Sequence, residues 1–215
     1  MNADLPWLVV PMRSFSRGKR RLEGVLDRVA RCRLNEEFLA QLLREAAVWP
    51  GLGHTVVVSP CEVVLRTARA MGVFALRQPD LSHLDEASSA TLNASLEFAR
   101  RELQDRRFSD LFVVSSDLPF ANVADFRRAV AAGGVGSDGQ VVIVMDRAKE
   151  GTNALFVPRN ARLPFCFGLH SAQRHADAAQ VRKIAWTQII LPGLALDVDT
   201  PADLALWLQL EKKCS

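Results

Sequence analysis

Short runs of consecutive apolar residues recur along the chain and alternate with segments of helical periodicity. Residues 7–12 and 111–115 are two such runs, of the kind that forms strands buried on both faces of a parallel sheet. Between them, apolar residues recur every three or four positions over 34–46, as in a helix that covers a sheet. The alternation predicts an α/β fold with three layers and a mainly parallel sheet.

The predicted elements fill most of the chain and leave no linker or internal repeat. Strands are predicted at 7–12, 54–59, 73–76, 111–115, 141–145, 152–157 and 184–191. Helices are predicted after Asp27, at 62–71, 91–103 and 123–132, around 171–175, and after Thr200. Because 153–191 is expected to hold more strand than helix, we expect part of the sheet to be mixed. The 215 residues are predicted to form one domain, 1–215.

The composition argues against several classes of protein. With 49% hydrophobic and 24% charged residues, the chain can bury a sizeable core and is not disordered. A net charge of +3 without a long basic tail does not indicate nucleic-acid binding. No secretion signal is recognisable and no apolar stretch approaches about 18 residues, so we expect no membrane association. Four cysteines without a CxxC pair favour free thiols in a reducing cytoplasm.

The segment LDVDT, 196–200, brings two acids close together in the sequence. If it ends a buried strand, Asp197 and Asp199 lie on one face, about 6–7 Å apart. Two carboxylates in one small volume repel each other, so binding of a divalent cation is the functional interpretation. The alternative is a solvated turn in which Thr200 caps a helix that starts at Pro201.

Charged residues also follow two of the predicted strands. The loop 13–22 comes after the first strand, at the edge where open α/β sheets bind ligands. Its charges suit a phosphate chain, although a solvated surface loop has the same composition. Asp117 follows the strand predicted at 111–115 and either reaches the same edge or serves as a turn residue. The basic residues of the loop are Arg13, Arg17, Lys19, Arg20 and Arg21.

Polar residues in three other segments have both a structural and a functional interpretation. Asn93 lies near the start of a predicted helix, where its amide either caps the backbone, as the spacing favours, or reads a base edge. Gly168 and Ser171 precede a helix whose backbone N–H groups can bind an anion. His175 on that helix either contacts a phosphate or is a hydrogen-bonded structural residue. The glycine-rich segment 133–139 lacks phosphate-loop spacing, so we interpret it as a connection.

Six motifs occur in an order that resembles the guanylyltransferases of coenzyme F420 biosynthesis. These enzymes act on 2-phospho-L-lactate or phosphoenolpyruvate and are related to the molybdenum-cofactor guanylyltransferases. The resemblance spans residues 7–210 and implies a Rossmann-like fold of the nucleotide-diphospho-sugar transferase type. The motifs are P-x-R-x5-K-x-R-L from Pro11, LNASL from Leu92, SDLP from Ser116, GTNAL from Gly151, FxFGxxS from Phe165 and LDVDTPADL from Leu196.

The resemblance implies transfer of GMP from GTP to a small phospho-carboxylic acid. Such a reaction depends on charge neutralisation and in-line positioning, because both reactants are anionic. The positions that match Mg²⁺ ligands are Asp117, Asp197 and Asp199. The positions that match GTP-binding residues are Arg13, Lys19, Arg21 and Asn93, and the catalytic positions are Lys19, Arg13 and Asp117. The positions that match the phospho-acid site are Thr152, Gly168 and Ser171. The resemblance also suggests a homodimer.

The chain departs from the family pattern at several of these motifs. Arg13 replaces a usual lysine, which changes a point donor into a planar fork. Thr91 replaces a glycine before Leu-Asn, which puts the preference for guanine in question. Lys149-Glu150 occupies a turn that is generally small and neutral, and Leu169-His170 replaces a pair with proline. The acceptor therefore stays open between 2-phospho-L-lactate, phosphoenolpyruvate and 3-phospho-D-glycerate.

Two alternative functions differ from this one. A nucleotidyltransferase with molybdopterin or a sugar phosphate as acceptor usually carries a GGxSxRMG-type loop after its first strand, which this sequence lacks. A non-catalytic nucleotide-binding protein of the same fold is the other alternative. Such a protein normally loses its acids first, whereas all three aspartates are present here.

Overall fold

The computed structural model describes residues 5–16, 18–81, 84, 89–106, 109–134 and 139–214. Arg17 of the basic loop and residues 135–138 of the glycine-rich segment lie outside these residues. The strands are β1 (Trp7–Pro11), β2 (Thr55–Ser59), β3 (Phe74–Arg77), β4 (Leu111–Val114), β5 (Val141–Met145), β6 (Thr152–Val157) and β7 (Trp186–Ile189). The helices are α1 (Arg28–Val48), α2 (Glu62–Ala70), α3 (Ala90–Arg106), α4 (Val123–Gly133), α5 (Ser171–Val181), α6 (Pro192–Ala195) and α7 (Pro201–Cys214).

One sheet contains these strands in the order β3-β2-β1-β4-β6-β5-β7. β6 is antiparallel to both β4 and β5, whereas the other neighbouring strands are parallel. The mainly parallel, partly mixed sheet is therefore confirmed. Because β6 runs in the opposite direction, its first residue, Thr152, lies at the edge where β4 and β5 end.

Helices cover both faces of the sheet, which confirms the three-layer prediction. Successive strand side chains point to opposite faces, so Leu8 and Val10 pack into one buried cluster with α1, α2 and α4. Val9 points the other way, into a second cluster with α3 and α5. A third cluster joins α1 to α7 and includes the edge-to-face pair of Phe38 and Trp207, whose ring centroids are 5.0 Å apart.

The last part of the sheet differs from the prediction. The strand predicted at 184–191 is shorter, and α5 makes 153–191 richer in helix than in strand, so that expectation is wrong. Residues 196–199 form no strand. The short helix α6 separates them from β7, and the N–H of Gly193 in this helix donates to the buried Asp125 carboxylate at 2.7 Å. A Cβ at Gly193 would come within 2.5 Å of the Phe120 carbonyl oxygen, so only glycine fits at this position.

Two predicted helix starts are confirmed by their side-chain hydrogen bonds. Asp27 Oδ1 accepts from the Ala30 N–H of α1 at 2.7 Å. Thr200 and Asp203 form a reciprocal pair at the start of α7, in which Asp203 N–H donates to Thr200 Oγ1 and Thr200 N–H donates to Asp203 Oδ2. Among the described residues, no helix combines the length and apolar character needed to cross a membrane.

Candidate active site

A cavity of about 600 Å³ opens at the edge of the sheet where β1 and β4 end. This is the edge at which open α/β sheets bind their ligands, because the loops after the parallel strands converge there. Three of the sequence-predicted site residues, Arg13, Asp117 and Gly168, line the cavity. The other lining residues are Pro11, Ser89, Leu92, Ser115, Ser116, Leu169 and Arg174.

Lys19 joins the predicted acids from beside this cavity. Its side chain is only 3% exposed, and its Nζ lies 3.5 Å from Asp117 Oδ2 and 3.7 Å from Asp199 Oδ1. The same ammonium donates to the Val198 carbonyl at 2.6 Å and lies 5.5 Å from the centre of the Phe38 ring. A buried ammonium needs such partners to offset its desolvation. The structure therefore brings Lys19, Asp117 and Asp199 together, as the sequence predicted.

In segment 196–199 the apolar residues are buried, and the two acids therefore lie on the opposite side. Leu196 and Val198 pack in the α1–α7 cluster, so the alternation leaves Asp197 and Asp199 half-buried on the other side. The Val198 N–H donates to the Asp117 carbonyl at 3.3 Å, which ties the segment to the end of β4. Burial therefore alternates along the segment as that interpretation requires, although residues 196–199 form no strand.

Burial and repulsion between the carboxylates of this group raise the pKa of two of them. Burial first, and then the charge of Asp117 and the weaker effect of Asp199, raise the pKa of Asp197 to about 6. Burial and Asp117 also raise the pKa of Asp199, against the opposing charges of Lys19 and Arg21. Because the Asp199 side chain is 46% exposed, solvent moderates this effect. The group thus holds more negative charge than its neighbouring cations neutralise.

The donor chemistry of these acids fits Mg²⁺, which binds carboxylate oxygens. Within the described ranges, no group of three or more His, Cys, Asp or Glu side chains is arranged to hold a metal ion by itself. In proteins, Mg²⁺ is usually held by one or two carboxylates together with waters and substrate phosphates. The Mg²⁺ site at Asp117, Asp197 and Asp199 stays a prediction.

The two predicted arginines lie on the exposed side of the same region. Arg13 follows β1, and its side chain is exposed and lines the cavity. Its carbonyl accepts a hydrogen bond from the Ser59 hydroxyl at 3.2 Å, which ties the basic loop to the end of β2. Arg21 is exposed and lowers the pKa of Asp199 electrostatically. Both positions suit contact with a phosphate chain, and this role stays a prediction.

Thr152 and Ser171, predicted at the phospho-acid site, are buried and bonded within the protein. The Ser171 hydroxyl accepts from the Thr152 N–H at 2.8 Å. His175 is fully buried, and its Nε2 accepts from the Cys166 N–H at 2.9 Å. Its Nδ1 therefore carries the proton and donates to Thr152 Oγ1 at 3.1 Å. Burial lowers the pKa of His175 to about 4, so the structural interpretation of this histidine is confirmed.

Asn93 contacts the backbone of Phe167, the residue before Gly168, which is predicted to hold the phospho-acid. Its Oδ1 accepts from the Phe167 N–H at 2.9 Å, and its Nδ2 donates to the Phe167 carbonyl at 3.2 Å. The prediction that Asn93 caps its own helix is therefore wrong, because both ends of the amide are bonded to another segment. The predicted role on the nucleotide side is not decided by this contact.

Two further polar residues at the site were not predicted from the sequence. Arg174, on the first turn of α5, lines the cavity opposite the end of β1. Asn153 is buried in β6, and its Nδ2 donates to the Leu194 carbonyl at 2.9 Å and lies 3.4 Å from Asp197 Oδ1. Arg174 lies three residues after Ser171, on the same side of α5, and this spacing could have predicted that it reaches the site. The partners of Asn153 are 41 and 44 positions away, and no sequence pattern indicates them.

The mixed sheet between two layers of helices is the fold of the nucleotide-diphospho-sugar transferases, and the acids and the basic loop lie at one of its edges. A solved structure from Desulfovibrio desulfuricans G20, described as such a transferase, matches with a TM-score of 0.77 at 16% identity, over 100% of this chain and 90% of that chain. A 4-diphosphocytidyl-2C-methyl-D-erythritol synthase structure matches with a TM-score of 0.62 at 12% identity, over 97% and 98% of the two chains. At these identities the likeness establishes the fold alone.

The sequence comparisons define the family. Residues 7–210 match the family described as guanylyl transferase CofC like. Phosphoenolpyruvate guanylyltransferases from Rubrobacter xylanophilus and Rhodococcus erythropolis are each 36% identical to the chain, over 92% and 91% of its length and 90% and 87% of theirs. The chain therefore belongs to this guanylyl transferase family, and the resemblance found in its motifs is confirmed.

Proposed function

We propose that the protein transfers GMP from GTP to a three-carbon phospho-acid in a Mg²⁺-dependent step of coenzyme F420 biosynthesis. Phosphoenolpyruvate is the first candidate acceptor, because relatives that are 36% identical carry that name. The observation that carries the proposal is the Lys19 ammonium between Asp117 and Asp199, beside a cavity lined by Arg13. A cytoplasmic location and a homodimer are further parts of the proposal, supported by the composition and by the resemblance respectively.

The proposed reaction joins a phosphate oxygen of the acid to the α-phosphorus of GTP. The new P–O bond forms as the bond from the α-phosphorus to the bridging oxygen breaks, and pyrophosphate leaves with that electron pair. When bound at Asp117, Asp197 and Asp199, Mg²⁺ supplies positive charge to the reacting phosphate oxygens. Binding and orientation by the protein then account for most of the remaining rate enhancement.

The charged residues of the chain divide this work between them. Lys19 is held by Asp117, Asp199 and a backbone carbonyl, so it fixes the direction of the acids and offsets part of their repulsion. Arg13 and Arg21 are exposed and donate to the phosphates of GTP, where a guanidinium can make two parallel hydrogen bonds. Gly168 lines the opposite wall of the cavity, where the phospho-acid binds.

The choice of acceptor depends on a part of the wall that differs from the family pattern. Lys149-Glu150 and Leu169-His170 meet in the structure, where His170 Nδ1 lies 3.9 Å from Glu150 Oε2. The Glu150 carbonyl also accepts from the Ala172 N–H of α5 at 3.1 Å, and Leu169 lines the cavity. This changed wall favours testing 3-phospho-D-glycerate and 2-phospho-L-lactate beside phosphoenolpyruvate.

An acceptor screen tests the proposal. Purified protein receives GTP or ATP, with Mg²⁺ or with a chelator, and each of the three acids in turn. Pyrophosphate release and the mass of the product are measured. We expect pyrophosphate and a guanosine diphosphate ester with GTP, Mg²⁺ and phosphoenolpyruvate. Absence of pyrophosphate in every combination would contradict the proposed function, whereas turnover with another acid would change only the acceptor.

A further inference from the structure

Asn93 joins two segments that meet at the cavity. It belongs to the first turn of α3, directly after Leu92, which lines the cavity. Its amide pairs with both polar groups of the Phe167 backbone, at 2.9 Å and 3.2 Å. An asparagine amide has one acceptor end and one donor end, and the Phe167 backbone occupies both of them. The next residue, Gly168, lies on the cavity wall.

Because peptide bonds are planar, this contact also fixes the direction of the Gly168 N–H. The Phe167 carbonyl and the Gly168 N–H belong to one planar, trans peptide unit. In such a unit the C=O and the N–H point in opposite directions. Because Asn93 Nδ2 holds the Phe167 carbonyl, it also directs the Gly168 N–H away from α3. In the part of the chain that the structure describes, no residue accepts a hydrogen bond from that N–H.

The surroundings of Gly168 show that this peptide is closely confined. Gly168 has a φ of 117°, a conformation that residues with a side chain rarely adopt. A Cβ at this position would overlap with the side chain of Ser89 and lie 3.7 Å from Arg174 Nη1. The backbone therefore runs against one wall of the cavity, with no side chain of its own between the N–H and a ligand.

We infer that Asn93 is a positioning residue for the phospho-acid, because it orients the Phe167–Gly168 peptide so that the Gly168 N–H donates to an anionic group of that substrate. This inference rests on the proposed function. It replaces the sequence-based expectation that Asn93 contacts the nucleotide. Backbone N–H groups directed into a cavity are common anion-binding elements, and here one side chain from a different helix sets the direction.

A second anchor keeps this segment folded when Asn93 is changed. His175 Nε2 accepts from the Cys166 N–H, and the Phe167 ring packs edge-to-face on His175 with centroids 4.9 Å apart. These contacts come from α5 and do not involve Asn93. Removal of the Asn93 amide therefore frees the two peptide units on either side of the Phe167 Cα and leaves the segment attached.

The test compares two variants at this position with a matched control. Asn93→Asp keeps an oxygen that accepts from the Phe167 N–H, but it has no N–H for the Phe167 carbonyl and repels it. Asn93→Ala removes both contacts. Gln140→Ala is the control, because Gln140 Nε2 also donates to a backbone carbonyl, that of Ala132 at 2.9 Å, at the opposite edge of the sheet.

The expected result is a change confined to one substrate. Asn93→Asp raises the KM for the acid about tenfold, the effect of losing one oriented hydrogen bond, while the KM for GTP and the preference for GTP over ATP stay unchanged. Asn93→Ala shows the same pattern, and Gln140→Ala changes neither KM. A raised KM for GTP with an unchanged KM for the acid would overturn the inference, and so would no change in either KM.

Amide hydrogen exchange in the wild-type protein separates this inference from the proposed function. Without any ligand, the Phe167 amide is expected to exchange slowly and the Gly168 amide rapidly. In Asn93→Ala the Phe167 amide becomes fast as well. Equal protection of Phe167 in the wild type and the variant would overturn the inference whether or not turnover is detected. If no acid supports turnover, the proposed function fails, whereas the exchange contrast still decides whether Asn93 holds the Phe167 backbone.

Discussion

Two neighbouring regions of the site differ in how their polar and charged groups are compensated. The acid cluster, formed by Lys19, Asp117, Asp197 and Asp199, holds three half-buried carboxylates beside one buried ammonium. Its charges are not fully compensated, and the pKa of Asp197 is raised to about 6. The buried network, formed by Thr152, Cys166, Ser171 and His175, satisfies its polar groups with one another. Its histidine is neutral, because burial lowers the pKa of His175 to about 4.

The difference separates binding of charge from control of position. A cluster with excess negative charge attracts a cation, and it becomes stable only when that charge is matched. A neutral, hydrogen-bonded network gains little from any ion, but it holds backbone segments in fixed directions. We therefore expect changes in the acid cluster to act mainly on turnover and changes in the buried network to act mainly on stability.

The largest expected effect comes from Asp199→Asn. Pyrophosphate release should fall about 100- to 1,000-fold, the usual cost of losing one group that stabilises transition-state charge. The melting temperature should stay the same or rise, because one of the repelling carboxylates loses its charge. Asp27→Asn is the control, since asparagine caps a helix as well as aspartate does. Unchanged turnover in Asp199→Asn would contradict the role of the acid cluster.

The buried network should show itself in the pH dependence of stability. Between the ordinary pKa of 6.5 and the folded value of about 4 for His175, the unfolded chain binds a proton that the folded protein does not. The free energy of unfolding contributed by this residue therefore falls as the pH decreases through that window, by up to about 3 kcal/mol.

Urea denaturation of the wild type and His175→Gln between pH 7 and pH 4 measures this effect. The variant should be less stable than the wild type at pH 7, and the difference should shrink as the pH falls. The other titrating groups are common to both proteins. A constant difference across the window would show that His175 does not cause the dependence.

Lys19→Gln should give a smaller stability loss, whose deficit also grows with pH but for a different reason. Loss of the ammonium raises the pKa of Asp199 further, so the folded variant binds a proton more tightly than the unfolded chain does. The deficit therefore grows as the pH rises from 4 towards 7, to about 2 kcal/mol for partly exposed acids. Thermal melts at several pH values check the sign, and a deficit that is largest at low pH would contradict this account.

Thr200→Ala should have the smallest effect. It removes the cap that α7 receives from the Thr200 hydroxyl, at a cost of about 1 kcal/mol in unfolding free energy. Turnover should fall less than in Asp199→Asn, because the buried Leu196 and Val198 still hold the segment that carries the acids. A drop in turnover as large as that of Asp199→Asn would show that the helix start, and not the apolar packing, directs the carboxylates.

The sequence predicted those features that depend on local pattern. Continuous apolar runs such as 111–115 became central strands, because burial on both faces demands them. The burial of Leu196 and Val198 also followed from alternation. Residues 196–199 follow the short helix α6, in which the Gly193 N–H is held by Asp125, 68 positions earlier in the chain. Local propensity cannot report such a contact.

The functional residues divide in the same way. The meeting of Lys19, Asp117 and Asp199 could be predicted because each follows a strand end or belongs to a charged motif. The contact of Asn93 with Phe167 spans 74 positions and was missed, since an amide near a helix start is equally consistent with a cap. Which backbone carbonyl a side chain reaches depends on the packing of two distant elements, and only the folded chain contains that information.

The separation of charge binding from control of position is tested most directly by steady-state kinetics of Asp199→Asn, in the acid cluster, beside Asn93→Asp, at the side chain that positions the Phe167 backbone. Pyrophosphate release is measured against the concentrations of the acid and of GTP. We predict that Asp199→Asn lowers kcat at least about 100-fold, whereas Asn93→Asp raises the KM for the acid and leaves kcat close to that of the wild type. The account is contradicted if Asn93→Asp loses kcat while Asp199→Asn changes only KM.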